Sequence, residues 1–224
     1  MFTVPGIANG EYSFCQDKII STSGEGGMLT TNDHALWEKA WAYKDHGKSY
    51  DEVFNRAHPP GFRWLHESFG TNLRMTEIQA SIGRRQLKKL LWWRTARRNN
   101  AAMLTNCFSA LPALRVTLPE PDFGHAYYKY YVFLRPEKLR KGWDRNRVMQ
   151  AVNAEGVPCF SGSCSEIYLE KAFTNAGLGP ARRLETARVL GETSLMFLVH
   201  PSLGIHEMED TCRAVEKVLS TASV

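Results

Sequence analysis

One stretch of this sequence concentrates side chains that could do chemistry. Residues 13–33 read SFCQDKIISTSGEGGMLTTND, in which Lys18 follows Ser13 by five residues and precedes a glycine-rich turn. A lysine amine can attack a carbonyl carbon, and a serine hydroxyl can donate to an anion such as phosphate. A lone lysine is nearly always a surface charge, however, and a serine is often only a turn residue. The residue types alone therefore leave both interpretations open.

A second stretch, residues 70–87, reads GTNLRMTEIQASIGRRQL. Its Thr76 and Gln79 have the spacing of a capping box, which predicts the start of a helix. Before that start, Asn72 fits either a ligand contact or a helix-entry residue that satisfies the backbone. Arg74 fits either a phosphate contact or an ion pair. In the first stretch, Glu25 lies between glycines and is better explained as part of a turn than as a site residue.

Other classes of site find no support. The seven histidines show no metal-ligand spacing such as HxxxH, so no metal site is predicted. The five cysteines are odd in number and form no CxxC pair, which favours reduced thiols and a cytoplasmic protein. The sequence also lacks a nucleophile elbow, a GxGxxG fingerprint and a Walker loop. The chemistry therefore rests on the two stretches above.

Together the two stretches resemble the DegT/DnrJ/EryC1/StrS family of pyridoxal-phosphate-dependent sugar aminotransferases. The shared features of the first stretch are Ser-Phe, a lysine five residues after the serine, and a Gly-Glu-Gly-Gly turn into a strand. The second shares a glycine, an asparagine and an arginine at the head of a long helix. Weaker similarity continues through residues 127–134 and 181–201. The resemblance therefore spans nearly the whole chain.

The resemblance implies roles for three residues. Lys18 would form the Schiff base with pyridoxal phosphate and then move a proton, for which its amine must be neutral when released. Ser13 would contact the cofactor phosphate. Asn72 would reach that phosphate from the neighbouring subunit, which implies a homodimer with shared sites. Lysine rather than histidine at position 18 favours transamination over the dehydration that some family members carry out.

The resemblance also implies the substrates. These are an amino-acid donor, by family habit glutamate, and a keto sugar on a nucleotide carrier. A 4-keto sugar is the default and a 3-keto sugar stays open. Many family members have a stretch containing histidine and proline that faces the sugar, whereas residues 157–168 here read VPCFSGSCSEIY. The identity of the sugar therefore stays open.

The predicted fold is α/β, the PLP-dependent transferase fold type I, with a partial large domain and a small carboxyl-terminal α/β domain. Residues 1–75 are expected to be a remnant of the large domain, 76–110 a long connecting helix and 111–224 the small domain. Periodicity and turn residues predict the individual elements, with Asp33 as the cap of the first helix. Strands are predicted at 27–31, 114–118, 127–134, 157–160 and 194–199, helices at 33–47, 76–106, 144–155, 166–176, 181–190 and 205–221, and a loop at 48–70.

Composition adds little about partners. A chain of 224 residues that is 43% hydrophobic and 23% charged is typical of a globular protein, and no apolar run approaches the roughly 18–20 residues of a membrane span. Met1 to Gly10 do not resemble a signal peptide. The net charge of +5 is concentrated in residues 84–98, RRQLKKLLWWRTARR. Within residues 78–91 the apolar side chains recur at helical spacing and predict an apolar helix face. We therefore interpret the charges as the solvated face of an amphipathic helix, with a nucleic-acid groove as the less favoured alternative.

Family members carry further cofactor-binding residues upstream of the lysine. These are a helix amino-terminus for the phosphate, an aromatic residue on the ring and an aspartate at the pyridine nitrogen. Only twelve residues precede Ser13, so we expect a truncated chain. The alternative to an enzyme is a catalytically silent remnant that forms dimers or binds a partner.

Overall fold

The computed structural model describes residues 9–61 and 63–224. The chain divides into two compact units, of which the first ends at Leu90 and the second begins at Leu91. Each unit has its own antiparallel sheet. Most of Met1 to Gly10, where no signal peptide was predicted, lies outside the described residues.

The sheet of the first unit is a two-stranded hairpin. Strand β1, Asn9–Ser13, pairs antiparallel with β2, Gly27–Thr31, so that Ser13 lies opposite Gly27. The strand predicted at 27–31 is confirmed with the predicted bounds, whereas β1 was not predicted from the sequence. The register fixes both ends of the segment that carries Lys18.

Two helices follow the hairpin. Helix α1, His34–Lys44, begins at Asp33, whose Oδ1 accepts from the backbone N–H of Leu36 at 3.1 Å, as predicted for an N-cap. Helix α2, Tyr50–Phe54, lies inside the segment predicted as a loop, which corrects that part of the prediction. The ring centroids of Trp41 and Tyr50 are 5.1 Å apart, so aromatic contacts hold the two helices together.

The single helix predicted at 76–106 is wrong. Helix α3 spans Glu77–Leu87 and helix α4 spans Leu90–Ser109. Between them the N–H of Lys89 donates to the carbonyl of Gln86 at 2.9 Å, a three-residue hydrogen bond that interrupts the α-helical ladder. The junction contains neither glycine nor proline, so no local signal in the sequence announced it. The capping box at the start of α3 is confirmed.

The second unit contains a four-stranded antiparallel sheet in the order β3-β4-β6-β5. Strand β4 begins three residues later than predicted, because Tyr127 has a positive φ of 46° that a strand does not accommodate. The other strands are shorter than predicted. Their bounds are Leu114–Val116 for β3, Tyr130–Leu134 for β4, Cys159–Phe160 for β5 and Ser194–Phe197 for β6.

Helices surround this sheet and close its core. The predicted helices at 144–155 and 205–221 are confirmed, whereas the one at 166–176 is split into a 3₁₀ turn, Ile167–Leu169, and a short helix. Phe108, Tyr130 and Phe197 are fully buried at the centre of the core. The helix bounds are Arg145–Ala154 for α5, Lys171–Asn175 for α6, Glu185–Thr193 for α7 and Ile205–Ala222 for α8.

The first unit lacks a comparable core among its described residues. Up to Leu90, the described residues that are buried are Thr22 and Gly47. The apolar face predicted for residues 78–91 is exposed at several positions, with 74% of Ile78 and 68% of Leu91 accessible. The basic residues Arg84 and Arg85 are exposed, as predicted for a solvated face.

Candidate active site

Lys18 lies on a closed loop between β1 and β2, residues 14–26, which we call the lysine loop. At its base the N–H of Phe14 donates to the carbonyl of Gly26 at 2.7 Å. The N–H of Thr22 donates to the carbonyl of Phe14 at 3.1 Å, which divides the segment into two smaller turns. Lys18 is therefore presented by backbone held at both ends rather than by an open connection.

Ser13 and Lys18, the two residues predicted to serve the cofactor from this stretch, are brought together around Cys15. The Oγ of Ser13 is 3.5 Å from the N–H of Cys15, whose carbonyl accepts from the backbone N–H of Lys18 at 3.1 Å. Ser13 is exposed and Lys18 is half-buried. An accessible hydroxyl and a partly shielded amine thus lie within one turn of each other.

Thr22 is the anchor of the lysine loop. Its side chain is 1% exposed, and its Oγ1 donates to the carbonyl of Glu25 at 3.1 Å. A Cβ at Gly26 would lie 2.2 Å from that Oγ1, closer than any real contact, so only glycine fits there. Glu25 is exposed, and its backbone carbonyl, not its carboxylate, makes the contact with Thr22. The interpretation of Glu25 as part of a turn is therefore supported.

Helix α3 contacts the lysine loop through three residues that sequence reasoning missed as site residues. The Nε2 of Gln79 donates to the carbonyl of Glu25 at 2.8 Å. The Oε1 of Gln86 accepts from the N–H of Ser21 at 2.8 Å. Between them Gly83 permits close approach, since a Cβ there would lie 3.1 Å from Cγ2 of Thr22. The signal available in the sequence was the spacing, because positions 79, 83 and 86 share one helix face.

Asn72 occupies a different segment of the same unit. It forms an isolated antiparallel bridge with Asp45, and its Oδ1 accepts from the Nε of Arg74 at 3.0 Å. The same Nε is 3.6 Å from Oδ1 of Asp45, so the ion-pair interpretation of Arg74 holds in this structure. Asn72 is exposed. Its predicted contact with a cofactor phosphate across a dimer stays a prediction.

An apolar cavity of about 550 Å³ borders the lysine loop. It lies between the hairpin and α3, and Ile20 and Thr22 contribute to its wall from the loop. Met28 and Leu87, which also line it, are each about half exposed, at 50% and 54%. Among the described residues that line this cavity, neither Ser13 nor Lys18 is present.

The segment at which the sequence departs from the family lines a second cavity, of about 400 Å³, in the second unit. Residues 161–166 contribute a run of small polar side chains, with Arg145 also in the wall. Glu166 accepts from Arg183 at 2.7 and 2.6 Å and from the hydroxyl of Tyr168 at 2.6 Å. These hydrogen bonds, that of Arg183 first, lower the pKa of Glu166 to about 2.

The donor set around the lysine loop fits pyridoxal phosphate. The cofactor needs an amine for its aldehyde and polar hydrogen donors for its phosphate, and Lys18 and Ser13, which lie in one turn, are residue types that could provide these groups. Among the described residues no group of three or more histidine, cysteine or carboxylate side chains could hold a metal ion. In the part of the chain that the structure describes, no helix combines the length and hydrophobicity needed to cross a membrane.

Comparison with known proteins identifies the family. The family model for the DegT/DnrJ/EryC1/StrS aminotransferases matches residues 6–216. The chain belongs to this family. Its homologues are PLP-dependent sugar aminotransferases, and its fold is the fold type I of that class. Pyridoxal phosphate, the predicted cofactor, is the cofactor of these homologues.

Three relatives illustrate the match. The aminotransferase from Psychrobacter cryohalolentis is 53% identical, with a TM-score of 0.90 over 96% of this chain and 56% of that chain. The spore coat polysaccharide biosynthesis protein SpsC of Bacillus subtilis is 26% identical over 94% of this chain and 54% of its own length. DesV of S. venezuelae, solved in complex with a ketimine intermediate, is 22% identical, with a TM-score of 0.80 over 96% of this chain and 53% of that chain. At this identity DesV supports the fold alone. The chain thus spans about half the length of these relatives.

Proposed function

We propose that this chain supplies the reactive lysine of a PLP-dependent sugar aminotransferase, which moves an amino group from an amino acid to a keto sugar on a nucleotide carrier. The observation that carries the proposal is the lysine loop. Its base is closed by backbone hydrogen bonds, its anchor Thr22 is buried, and α3 contacts it along one face. A surface lysine without a chemical role would not need such support.

Within this proposal Lys18 has two tasks. Pyridoxal phosphate, when bound, supplies an aldehyde that condenses with an amine and a conjugated ring that accepts electrons. The Nζ of Lys18 would hold the cofactor through its aldehyde, and as a neutral amine it would move a proton at the substrate carbon. The closed turn limits where that Nζ can reach. Reduced backbone freedom lowers the entropy lost when the amine is brought to the reacting atom.

Ser13 and Asn72 are proposed to bind the cofactor phosphate. The exposed Oγ of Ser13 is available as a donor from the same turn as Lys18. The exposed side chain of Asn72 suits a contact made across a homodimer with shared sites.

The substrates and setting are proposed from the family and from the relatives' names. SpsC is described as a spore coat polysaccharide biosynthesis protein, which supports amino-sugar or surface polysaccharide biosynthesis for this chain as well. Glutamate is the proposed amino donor. All five cysteines are free thiols, and a reducing cytoplasm would keep them so.

The proposal is tested by the absorbance of the purified chain during titration with pyridoxal phosphate, followed by borohydride reduction and peptide mass spectrometry. We expect a long-wavelength band and a reduced cofactor adduct on Lys18, both lost in Lys18→Ala. Lys141→Ala, at an exposed lysine of the second unit, is the matched control and should keep both. Bleaching of the band by glutamate would support the donor. An adduct spread over several surface lysines would refute the assigned site.

A second candidate is a catalytically silent module that forms dimers or binds a partner. The observation that favours it is the exposure of large apolar side chains in the first unit, including Trp64 at 85% and Phe69 at 101%. Sedimentation of the same purified chain separates the two candidates. Self-association without any Lys18-dependent band would favour the module over the enzyme.

A further inference from the structure

We propose that Gln79 is a positioning residue for Lys18, which acts by holding the lysine loop against the start of helix α3. The inference rests on the proposed function, since positioning matters only if Lys18 reacts. Gln79 is not one of the predicted site residues, which are Ser13, Lys18 and Asn72.

Both ends of the Gln79 carboxamide are engaged. Its Oε1 accepts from the backbone N–H of Thr76 at 2.9 Å and from the hydroxyl of Thr76 at 3.0 Å. Its Nε2 donates to the carbonyl of Glu25 at 2.8 Å, across 54 residues of sequence. One amide group therefore completes the capping box of α3 and also holds the lysine loop.

The Glu25 carbonyl lies at the centre of the loop's own hydrogen bonds. It also accepts from the Oγ1 of Thr22 at 3.1 Å, and the N–H of Thr22 donates to Phe14 at the base of the loop. A change at Gln79 is therefore transmitted to the backbone on both sides of Lys18. Gln86 provides a second, independent contact, because its Oε1 accepts from the N–H of Ser21 at 2.8 Å.

Gln79 donates a hydrogen bond to the lysine loop, whereas Gln86 accepts one from it. The same substitution at the two positions is therefore a sharp test. Gln79→Glu keeps an oxygen for Thr76 and preserves the capping box, but it replaces the donor to the Glu25 carbonyl by a carboxylate oxygen. Gln86→Glu keeps the oxygen that accepts from Ser21. The same isosteric change should therefore loosen the lysine loop at position 79 and leave it in place at position 86.

If the stability of helix α3 alone governed the lysine loop, Gln86→Glu would loosen the loop more than Gln79→Glu. A carboxylate at position 79 lies in the first turn of α3, where it interacts favourably with the helix dipole, whereas one at position 86 lies in the last turn, where the interaction is unfavourable. A looser lysine loop in Gln79→Glu would consequently be the effect of the lost contact with Glu25 and not of a weakened helix.

The first measurement is hydrogen–deuterium exchange of peptides spanning the lysine loop, in the full chain without cofactor. For Gln79→Glu we expect exchange at the loop amides to rise on the order of 5- to 10-fold, as for the loss of one hydrogen bond. Gln86→Glu should stay within about twofold of the parent. Equal exchange in the two variants, or faster exchange in Gln86→Glu, would overturn the proposal.

The second measurement is the pyridoxal phosphate concentration that gives half of the Lys18-dependent band. We expect it to rise on the order of 5-fold or more in Gln79→Glu and to be unchanged in Gln150→Glu, at an exposed glutamine of the second unit. Faster exchange without a shift in this concentration would make Gln79 structural only and overturn the positioning role. If the parent chain shows no Lys18-dependent band, the proposed function itself is refuted. If Gln79→Glu and Gln86→Glu still differ in amide exchange in that case, the cofactor assignment has failed and the contact between Gln79 and Glu25 has not.

Discussion

Thr22 and Gly26 meet so closely that no side chain fits between them. The Oγ1 of Thr22 would lie 2.2 Å from a Cβ at position 26, while the same hydroxyl donates to the carbonyl of Glu25. The N–H of Phe14 donates to the carbonyl of Gly26, so this contact lies at the closure of the lysine loop. The glycine-rich turn therefore serves the packing of a buried threonine, and through it the presentation of Lys18.

Gly26→Ala should open this closure. We expect a loss of about 1–3 kcal/mol in the free energy of unfolding, typical of overpacking, and faster amide exchange in the lysine loop. Gly124→Ala is the control, because a Cβ there meets nothing within 4 Å. Removing the hydroxyl with Thr22→Ala in the same chain should recover part of the loss. Additive effects in this double-mutant cycle would show that the contact is not the cause.

Arg97 should be needed for the stability of the second unit. Its side chain is buried, and its Nη1 donates to the carbonyls of Tyr127 and Tyr128 at 3.1 and 2.9 Å. Burial lowers the pKa of the guanidinium. Arg97→Met keeps the aliphatic packing but leaves both carbonyls without this donor, for an expected loss of about 2–3 kcal/mol in urea unfolding. The exposed neighbour Arg98, changed to Met, should stay within about 0.5 kcal/mol of the parent.

The Glu166–Arg183 pair should make stability depend on pH in a defined window. Hydrogen bonds from Arg183 and then Tyr168 lower the pKa of Glu166 from 4.5 to about 2. A lowered pKa in the folded state means that the contribution is fully present above pH 4.5 and is lost as the pH falls toward about 2. The stability difference between the parent and Glu166→Gln in urea unfolding should therefore shrink across that window. A stability difference that stays constant from pH 4.5 down to about 2 would contradict this role of the pair.

Two cysteines in neighbouring segments should differ in reactivity. Cys159 is 2% exposed, and burial raises the pKa of its thiol to about 12, whereas Cys164 lies on the exposed surface. We expect a thiol reagent to modify Cys159 at least ~100-fold more slowly than Cys164 in the folded chain, because the thiolate is the reactive form. Peptide mass spectrometry over time measures both rates. Urea should remove the difference, and equal rates in the folded chain would contradict the described core.

The sequence by itself determined the local features and the family. Some elements depend only on residues adjacent along the backbone, so their signals can be read directly from the sequence. These are strand 27–31, the helix caps at Asp33 and Thr76, and the last helix, α8. The motif around Lys18 identified the family for the same reason, since it is a contiguous run. The single helix predicted at 76–106 failed because its interruption at Lys88 and Lys89 has no local signature.

Only the tertiary structure decided what supports Lys18. The capping box revealed one role of Gln79, but its donation to Glu25 joins residues 54 positions apart. Burial of Thr22 and the need for glycine at position 26 likewise depend on which surfaces meet. The same holds for Ile78, an apolar residue at helical spacing that is nevertheless 74% exposed. Periodicity defines a helix face, whereas burial and long-range hydrogen bonds depend on whatever part of the chain comes to lie against that face.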